Sequence, residues 1–293
     1  MSSPSASPTA VRQTSALRVV AILAVYNEER FVGACLEHLA RHGVETYLID
    51  NESTDRTVAL AETYRGRGLV GIETFPRHGF YSWRPLLERK EALASLLEAD
   101  WFLHVDADEI RLPPPGRPTL IDALTEAEAR GFNAVNFLEF TFVPTREAPD
   151  HDHPHFQGTM RWYYPFLPAF PNRLNAWRRQ PERVELAWSG GHQVRFPGLR
   201  MYPESFPMRH YLFLSVPHAI DKYIGRRYDP HEVAAGWHRA RVRLRPELIR
   251  LPSQRELRPY RGDDLLDPTS PRTRHYLFDE AWAASECPGP NAP

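Results

Sequence analysis

The segment LRVVAILAV, residues 17–25, constrains this chain more than any other: an apolar run of strand length interrupted only by Arg18. Without in/out alternation, such a run is the pattern of a strand covered on both faces, as in a parallel sheet packed between helices. It is about half the roughly 20 residues that a membrane-spanning helix requires. The next segment, 28–41, places Phe31, Val32, Cys35, Leu36 and Leu39 at helical spacing, and Gly43 follows where a C-terminal cap belongs. Strand then helix repeats: 44–49 and 55–64, 69–75 and 84–98, then 101–105 as a further strand. The expected fold class is therefore α/β, a doubly wound, mostly parallel sheet flanked by helices. In such sheets ligands occupy the crevice beyond the carboxyl ends of the strands, so the loops that begin at Tyr26, Asp50, Pro76 and Asp106 should carry function.

After Asp106 the alternation decays. The proline-rich stretch 112–118 is neither helix nor central strand, 119–130 reads as a helix and 132–142 as a strand. Four parts are expected: a disordered leader 1–16, an α/β half 17–142, an irregular, groove-lining half 143–285 of the same domain, and a disordered tail 286–293; the motifs below make the first half nucleotide-binding and the second the acceptor side. In the second half 215–228 and 231–241 read as helices. The HDHPH cluster, His151 to His155, reads as an exposed loop. Of Trp162, Tyr163, Tyr164, Trp177 and Trp188, at least half are expected in the core, with the rest available to stack on an acceptor.

The sharpest chemical signal is WFLHVDADE, a buried strand that ends in Asp106, Ala107, Asp108 and Glu109. Three carboxylates within four residues repel one another in a desolvated crevice unless a cation sits among them. Magnesium and manganese take oxygen ligands and are commonly shared between carboxylates and substrate phosphates, so an Asp-x-Asp here suits a nucleoside diphosphate substrate. The plain alternative is a solvated acidic turn. A second signal is YLIDNESTD: Ser53, Thr54 and Asp55 are explained by turn and cap chemistry, whereas Asp50 is expected to point from the strand tip toward a base or ribose. The third is AVYNEE. It lacks the glycines of a phosphate-cradling loop, which excludes dinucleotide and Walker-type readings.

Along the chain, AVYNEE, then DNESTD, then a helix with Arg89, Lys90, Glu91, Ala92 and Leu93, then DADE resemble the glycosyltransferase family 2 pattern of the GT-A fold, over about residues 17–110. The resemblance implies a sugar transfer from a nucleoside diphosphate sugar to an acceptor hydroxyl, inverting and dependent on Mn2+ or Mg2+. It implies that Asp50 and Asn51 contact base and ribose, that Asp106 and Asp108 hold ribose and the metal-bound diphosphate, and that Tyr26 to Glu28 line the base pocket. Ala24, Lys90 and Ala107 complete the expected nucleotide-binding set. His210, in MRHYLFLSVPHAIDKY, stands where many metal-dependent members supply a histidine ligand. For the base that takes the acceptor's proton the sequence offers His192, Glu185 and Glu109. The acidic doublet that the family often places downstream is missing.

With 36 basic against 37 acidic residues the formal charge is −1, so no nucleic-acid partner is indicated. Two cysteines, Cys35 and Cys287, suit neither a disulfide framework nor a zinc site. No signal peptide is legible, and the expected location is the cytoplasm, with peripheral membrane contact left open. The basic residues are almost all arginine; Lys90 and Lys222 are the sole lysines, a bias from which no role follows. The acceptor class stays open between a glycan, a lipid-linked intermediate, a protein and a small molecule. The competing readings are a nucleotidyltransferase on a related sheet, and a nucleotide- or carbohydrate-binding protein that has lost catalysis.

Overall fold

The computed structural model describes residues 17–286; the leader 1–16, Cys287 and the remainder of the expected tail lie outside them. Glu286, the first residue of the expected tail, ends a helix, Asp279–Glu286. The first half alternates as its apolar pattern predicts: β1 (Val19–Val25), α1 (Val32–Arg41), β2 (Glu45–Asp50), α2 (Thr57–Glu62), β3 (Leu69–Thr74), α3 (Trp83–Leu96) and β4 (Trp101–Val105). The order β3-β2-β1-β4 is parallel throughout. Val19, Ala21, Leu23 and Val25 of β1 pack in the layer that contains α1, while Val20 and Ile22 face Leu86 and Leu87 of α3. Both faces are dry, which is why the β1 sequence is apolar without alternation.

Beyond β4 the sheet continues antiparallel. After β5 (Glu109–Arg111) and α4 (Leu120–Ala129) come β6 (Ala134–Phe142), α5 (Phe156–Thr159), β7 (Trp162–Phe166), β8 (Arg173–Arg178), β9 (Phe206–Tyr211) and β10 (Arg258–Pro259). β8 pairs with β4, β6 with β8, β7 with β6 and β10 with β7, all antiparallel. The result is a mixed sheet with a parallel core flanked by helices, as the α/β expectation requires. The antiparallel extension follows because the connections after β4 are too irregular to supply crossover helices. β9 lies parallel to β6 and antiparallel to β5, with His210 opposite Glu109.

The helices expected at 215–228 and 231–241 are shorter. The first is α6 (Val216–Ala219) followed by a π-helical turn, Ile220–Ile224. The second splits into α7 (Pro230–Ala234) and α8 (Arg239–Arg243), separated where Gly236 and His238 take φ of 92° and 58°. Among the described residues no helix is long and apolar enough to cross a membrane. His153 and His155 are exposed, as read for the histidine cluster, but His151 is buried and holds Thr159 Oγ1 at 2.9 Å. Tyr163, Tyr164 and Trp177 are core; Trp188 is exposed.

One buried carboxylate ties the halves together. Glu91 on α3 is 4% exposed and accepts from the Leu186 and Ala187 amides at 2.6 and 2.8 Å, with Arg183 at 2.7 Å. Glu91→Ala strands two buried amides and should cost about 2–5 kcal/mol; urea unfolding checks this, and a loss below about 1 kcal/mol would contradict the role given to the clamp.

Candidate active site

The carboxyl ends of β1, β2 and β4 open into one cavity of about 910 Å³, whose wall includes Ala24, Tyr26, Glu28, Asn51, Asp106, Ala107 and Asp108. Residues of the second half complete it, among them His192, His210, Lys222, Arg226 and Arg241. Most of the expected nucleotide-binding set thus meets in one place.

Four expected residues do not face it. Asp50 is buried and turns its carboxylate onto its own loop, accepting from the Ser53 amide at 3.1 Å, an Asx turn. Lys90 lies on the inner face of α3, fully buried, with its Nζ donating to His104 Nδ1 at 2.8 Å and to the Val105 carbonyl at 3.3 Å. Burial pulls its pKa down to about 8, against the carboxylates of Asp106 and Glu109. Glu109 is locked by Arg111 at 2.6 Å and accepts from the Asp106 amide at 3.2 Å. Its carboxylate is structural and unavailable as a base. Glu185 sits on the surface, paired with Arg195.

His192 is on the wall. Desolvation in the groove and the nearby Arg173 push its pKa down, so the ring is neutral. Arg173 Nη1 lies 3.2 Å from Nδ1. A guanidinium only donates, so Nδ1 must accept and Nε2 carries the proton. In this state His192 offers the cavity a donor rather than the lone pair a base needs.

The three carboxylates that end β4 find three different partners. Glu109 takes Arg111, with Arg173 at 3.7 Å. Asp108 takes the Lys222 ammonium at 2.6 Å and His210 Nε2 at 3.3 Å. Asp106 is left open to the cavity with His104 Nε2 at 3.9 Å. Burial and the charge of Glu109 raise the Asp106 pKa. Burial alone would raise Asp108 as well, but Lys222 and His210 hold it well below the usual carboxylate range. His210 is also bonded through Nδ1 to Glu139 at 2.6 Å; although burial disfavours a charged ring, the flanking carboxylates raise its pKa to about 10. Desolvation lifts Glu28 to about 7 even though Lys222 stands 3.9 Å away.

Of the expected metal ligands, Asp108 and His210 are in contact, whereas Asp106 meets His104. To hold a divalent ion with Asp108, His210 would have to give up the Nε2 proton that now faces Asp108 Oδ2 at 3.3 Å. The bond from the other ring nitrogen to Glu139 is the support that ligating histidines ordinarily have. Glu139, His210 and His275 also bring ligand atoms within 4.8 Å of one another. Glu139, however, already accepts from Arg173 at 2.7 Å and Thr141 at 2.9 Å, so its charge is met by the protein.

Residues 20–82 match the model of the family described as glycosyl transferase family 2. The likeness is confined to that segment. The lipopolysaccharide core biosynthesis glycosyltransferase LpsC of Rhizobium meliloti (strain 1021) is 31% identical over 113 residues, 38% of this chain and 39% of LpsC. The match thus spans about two fifths of that relative's length. Among solved structures, S. aureus TarS 1-349 in complex with UDP aligns at a TM-score of 0.44 with 13% identity, over 67% of this chain and 61% of that one. The mannosyltransferase PcManGT from Pyrobaculum calidifontis, in complex with GDP-Man and Mn2+, aligns at 0.34 with 18% identity, over 57% and 46%.

The matched segment contributes Tyr26, Glu28 and Asn51, but much of the wall comes from residues that the motifs did not flag. Tyr81, Trp83, Arg173, Lys222, Arg226 and Arg241 line the same cavity. Arg77 covers the Tyr26 ring at 3.5 Å. Only Lys222 carried a signal, its rarity.

The site rests on a base of neutral histidines. His104 is pushed well below its usual pKa, His38 to about 3 and His218 to about 2, in each case first by burial. A histidine with a lowered folded pKa leaves stability intact above about pH 6.5 and removes it as pH falls, because the unfolded chain takes up the proton first. Glu28, raised to about 7, works against this by one proton. Between pH 6 and 5 the unfolding free energy should therefore fall by at least two protons' worth, about 3 kcal/mol per pH unit. Urea unfolding across that range is the check, and a flat profile would contradict it.

Proposed function

We propose that this chain transfers a sugar from a nucleoside diphosphate sugar to an acceptor hydroxyl. The observation that supports this best is the convergence of Tyr26, Asn51, Asp106 and Asp108, at the ends of three parallel strands, on one cavity large enough for donor and acceptor group together. The match of residues 20–82 to glycosyl transferase family 2 supports the same reading. The nucleotidyltransferase reading has no comparable support, since the loop after β1 carries Tyr26, Asn27 and Glu28 in place of a glycine-rich basic turn.

In this reading Tyr26 and Asn51 border the base, with Ala24 and Ala107 as small residues that leave room for the nucleotide. Asp106, whose carboxylate is open, receives the ribose. Asp108 and His210, with Asp106, would hold Mn2+ or Mg2+, which would supply Lewis acidity to the diphosphate as it departs. The acceptor oxygen bonds to the anomeric carbon as the bond to the diphosphate breaks; the electron pair leaves with the diphosphate, and the hydroxyl proton passes to solvent water. Inversion follows if attack comes from the face opposite the diphosphate; His192 and Trp188, on the same cavity wall, are available to the acceptor. His192 then orients the acceptor as a donor. The acceptor belongs to the open set of glycans, lipid-linked intermediates and small molecules.

Thermal unfolding in Mn2+ against UDP-, GDP- and dTDP-sugars tests the donor site. One of them should stabilise the protein, by about 2.7 kcal/mol at a hundredfold over its Kd, and Asp106→Ala should weaken that binding at least tenfold. Absence of any shift across the panel would reject the reading.

A further inference from the structure

The acidic end of β4 calls for a cation, and the protein supplies one of its own. Lys222 is one of two lysines among 36 basic residues. Its side chain is 8% exposed, with Nζ 2.6 Å from Asp108 Oδ2 and 3.9 Å from Glu28 Oε2. It also stands over the Phe31 ring at 4.8 Å, which leaves it little freedom to withdraw. The π-helical turn Ile220–Ile224 carries it there, a local geometry that recurs at functional sites.

Two arginines extend the positive surface along the same wall. Arg226 lies over Tyr81 at 4.6 Å and within 5.7 Å of the Tyr26 ring. Arg241 lies over Tyr223 at 5.9 Å, with Nη1 at 3.4 Å from His238 Nδ1. Both line the cavity, and among the described residues neither has a carboxylate within ion-pair distance. Arg30, Arg89, Arg111 and Arg173, by contrast, all meet a carboxylate. Guanidinium groups held against aromatic rings without an acid are poised for an anion from outside the chain. Asp106 and Asp108 are then the negative charges facing Lys222, Arg226 and Arg241, with Glu28 at the edge; Glu109 and Glu139 are spent on Arg111 and Arg173.

We propose that Lys222, Arg226 and Arg241 form a built-in cationic subsite for the diphosphate of the donor, so that a nucleoside diphosphate binds without a divalent ion. This rests on the donor reading above and deepens it. A metal at Asp106, Asp108 and His210 adds to a charge balance that the chain already meets. Asp108 shares its oxygens between the two cations, since a carboxylate has about four acceptor positions. Lys222 is a positioning and charge-balancing residue: it gives hydrogen bonds to Asp108 and to the diphosphate and transfers no proton.

Isothermal titration of UDP, GDP and dTDP, each in EDTA and in Mn2+, separates the outcomes. One nucleotide should bind in EDTA within about tenfold of its Kd in Mn2+. Lys222→Met and Arg226→Met should each weaken the EDTA binding at least tenfold, while binding in Mn2+ stays measurable. Arg226 lies on the wall and makes no ion pair, so its variant guards against loss of folding in Lys222→Met, which circular dichroism would reveal. Binding that occurs in Mn2+ and vanishes in EDTA overturns the inference and leaves the donor reading standing, as does EDTA binding unchanged in both folded variants. No binding under either condition overturns the donor reading, and this inference with it.

Discussion

Charge compensation at the end of β4 is the constraint around which the rest of the molecule is arranged. Asp106, Asp108 and Glu109 leave a fully buried strand together, and unpaired carboxylates at such depth carry a desolvation cost of several kcal/mol each. The chain resolves this by giving each a different environment. Glu109 is absorbed into the core by Arg111, which also reaches Asn175 at 2.9 Å and the His104 carbonyl at 2.9 Å. Asp108 is set between an ammonium and an imidazole. Asp106 alone remains open, and an open carboxylate between two satisfied neighbours can be addressed by a substrate.

The partners reach these carboxylates through sheet register. β9 runs antiparallel to β5, so His210 stands opposite Glu109, and the Tyr211 amide bonds to the Asp108 carbonyl at 2.9 Å. β6 lies on the other side of β9 with Thr141 opposite His210, which brings Glu139 to the second ring nitrogen. The antiparallel half therefore does more than extend the sheet. It delivers an imidazole, two arginines and a lysine to the edge of a parallel core that presents mainly acids. Glu91 performs the reverse service, reaching from α3 of the parallel half to hold the loop that leads to His192.

The first half was legible because its signals are local. Apolar runs bracketed by turn residues specify strands of five to seven residues, and β4 begins and ends where its pattern does. The Asp-x-Asp and Asn51 were readable for the same reason: residues at a strand tip face the crevice whatever lies across from it. Asp50 and Lys90 show where that logic stops. Both are in the right elements, but Asp50 satisfies its own turn and Lys90 faces inward. A sequence motif names the element and leaves the rotamer open. The 231–241 helix was misread because Gly236 and His238 adopt left-handed backbone angles that helical spacing does not reveal.

The sequence by itself determined the parallel core, its crevice and the acidic residues at the strand ends, because each follows from neighbours within a few positions. Tertiary structure alone decided which cation answers those acids. The local reading of DADE asked for a divalent ion, since three carboxylates in four residues have no counter-charge nearby in sequence. Lys222 is 114 residues from Asp108 and Arg173 is 34 from Glu139; in the folded chain these are contacts of 2.6 and 2.7 Å. Coulomb attraction depends on distance through space and on local dielectric, and neither exists until the chain has folded.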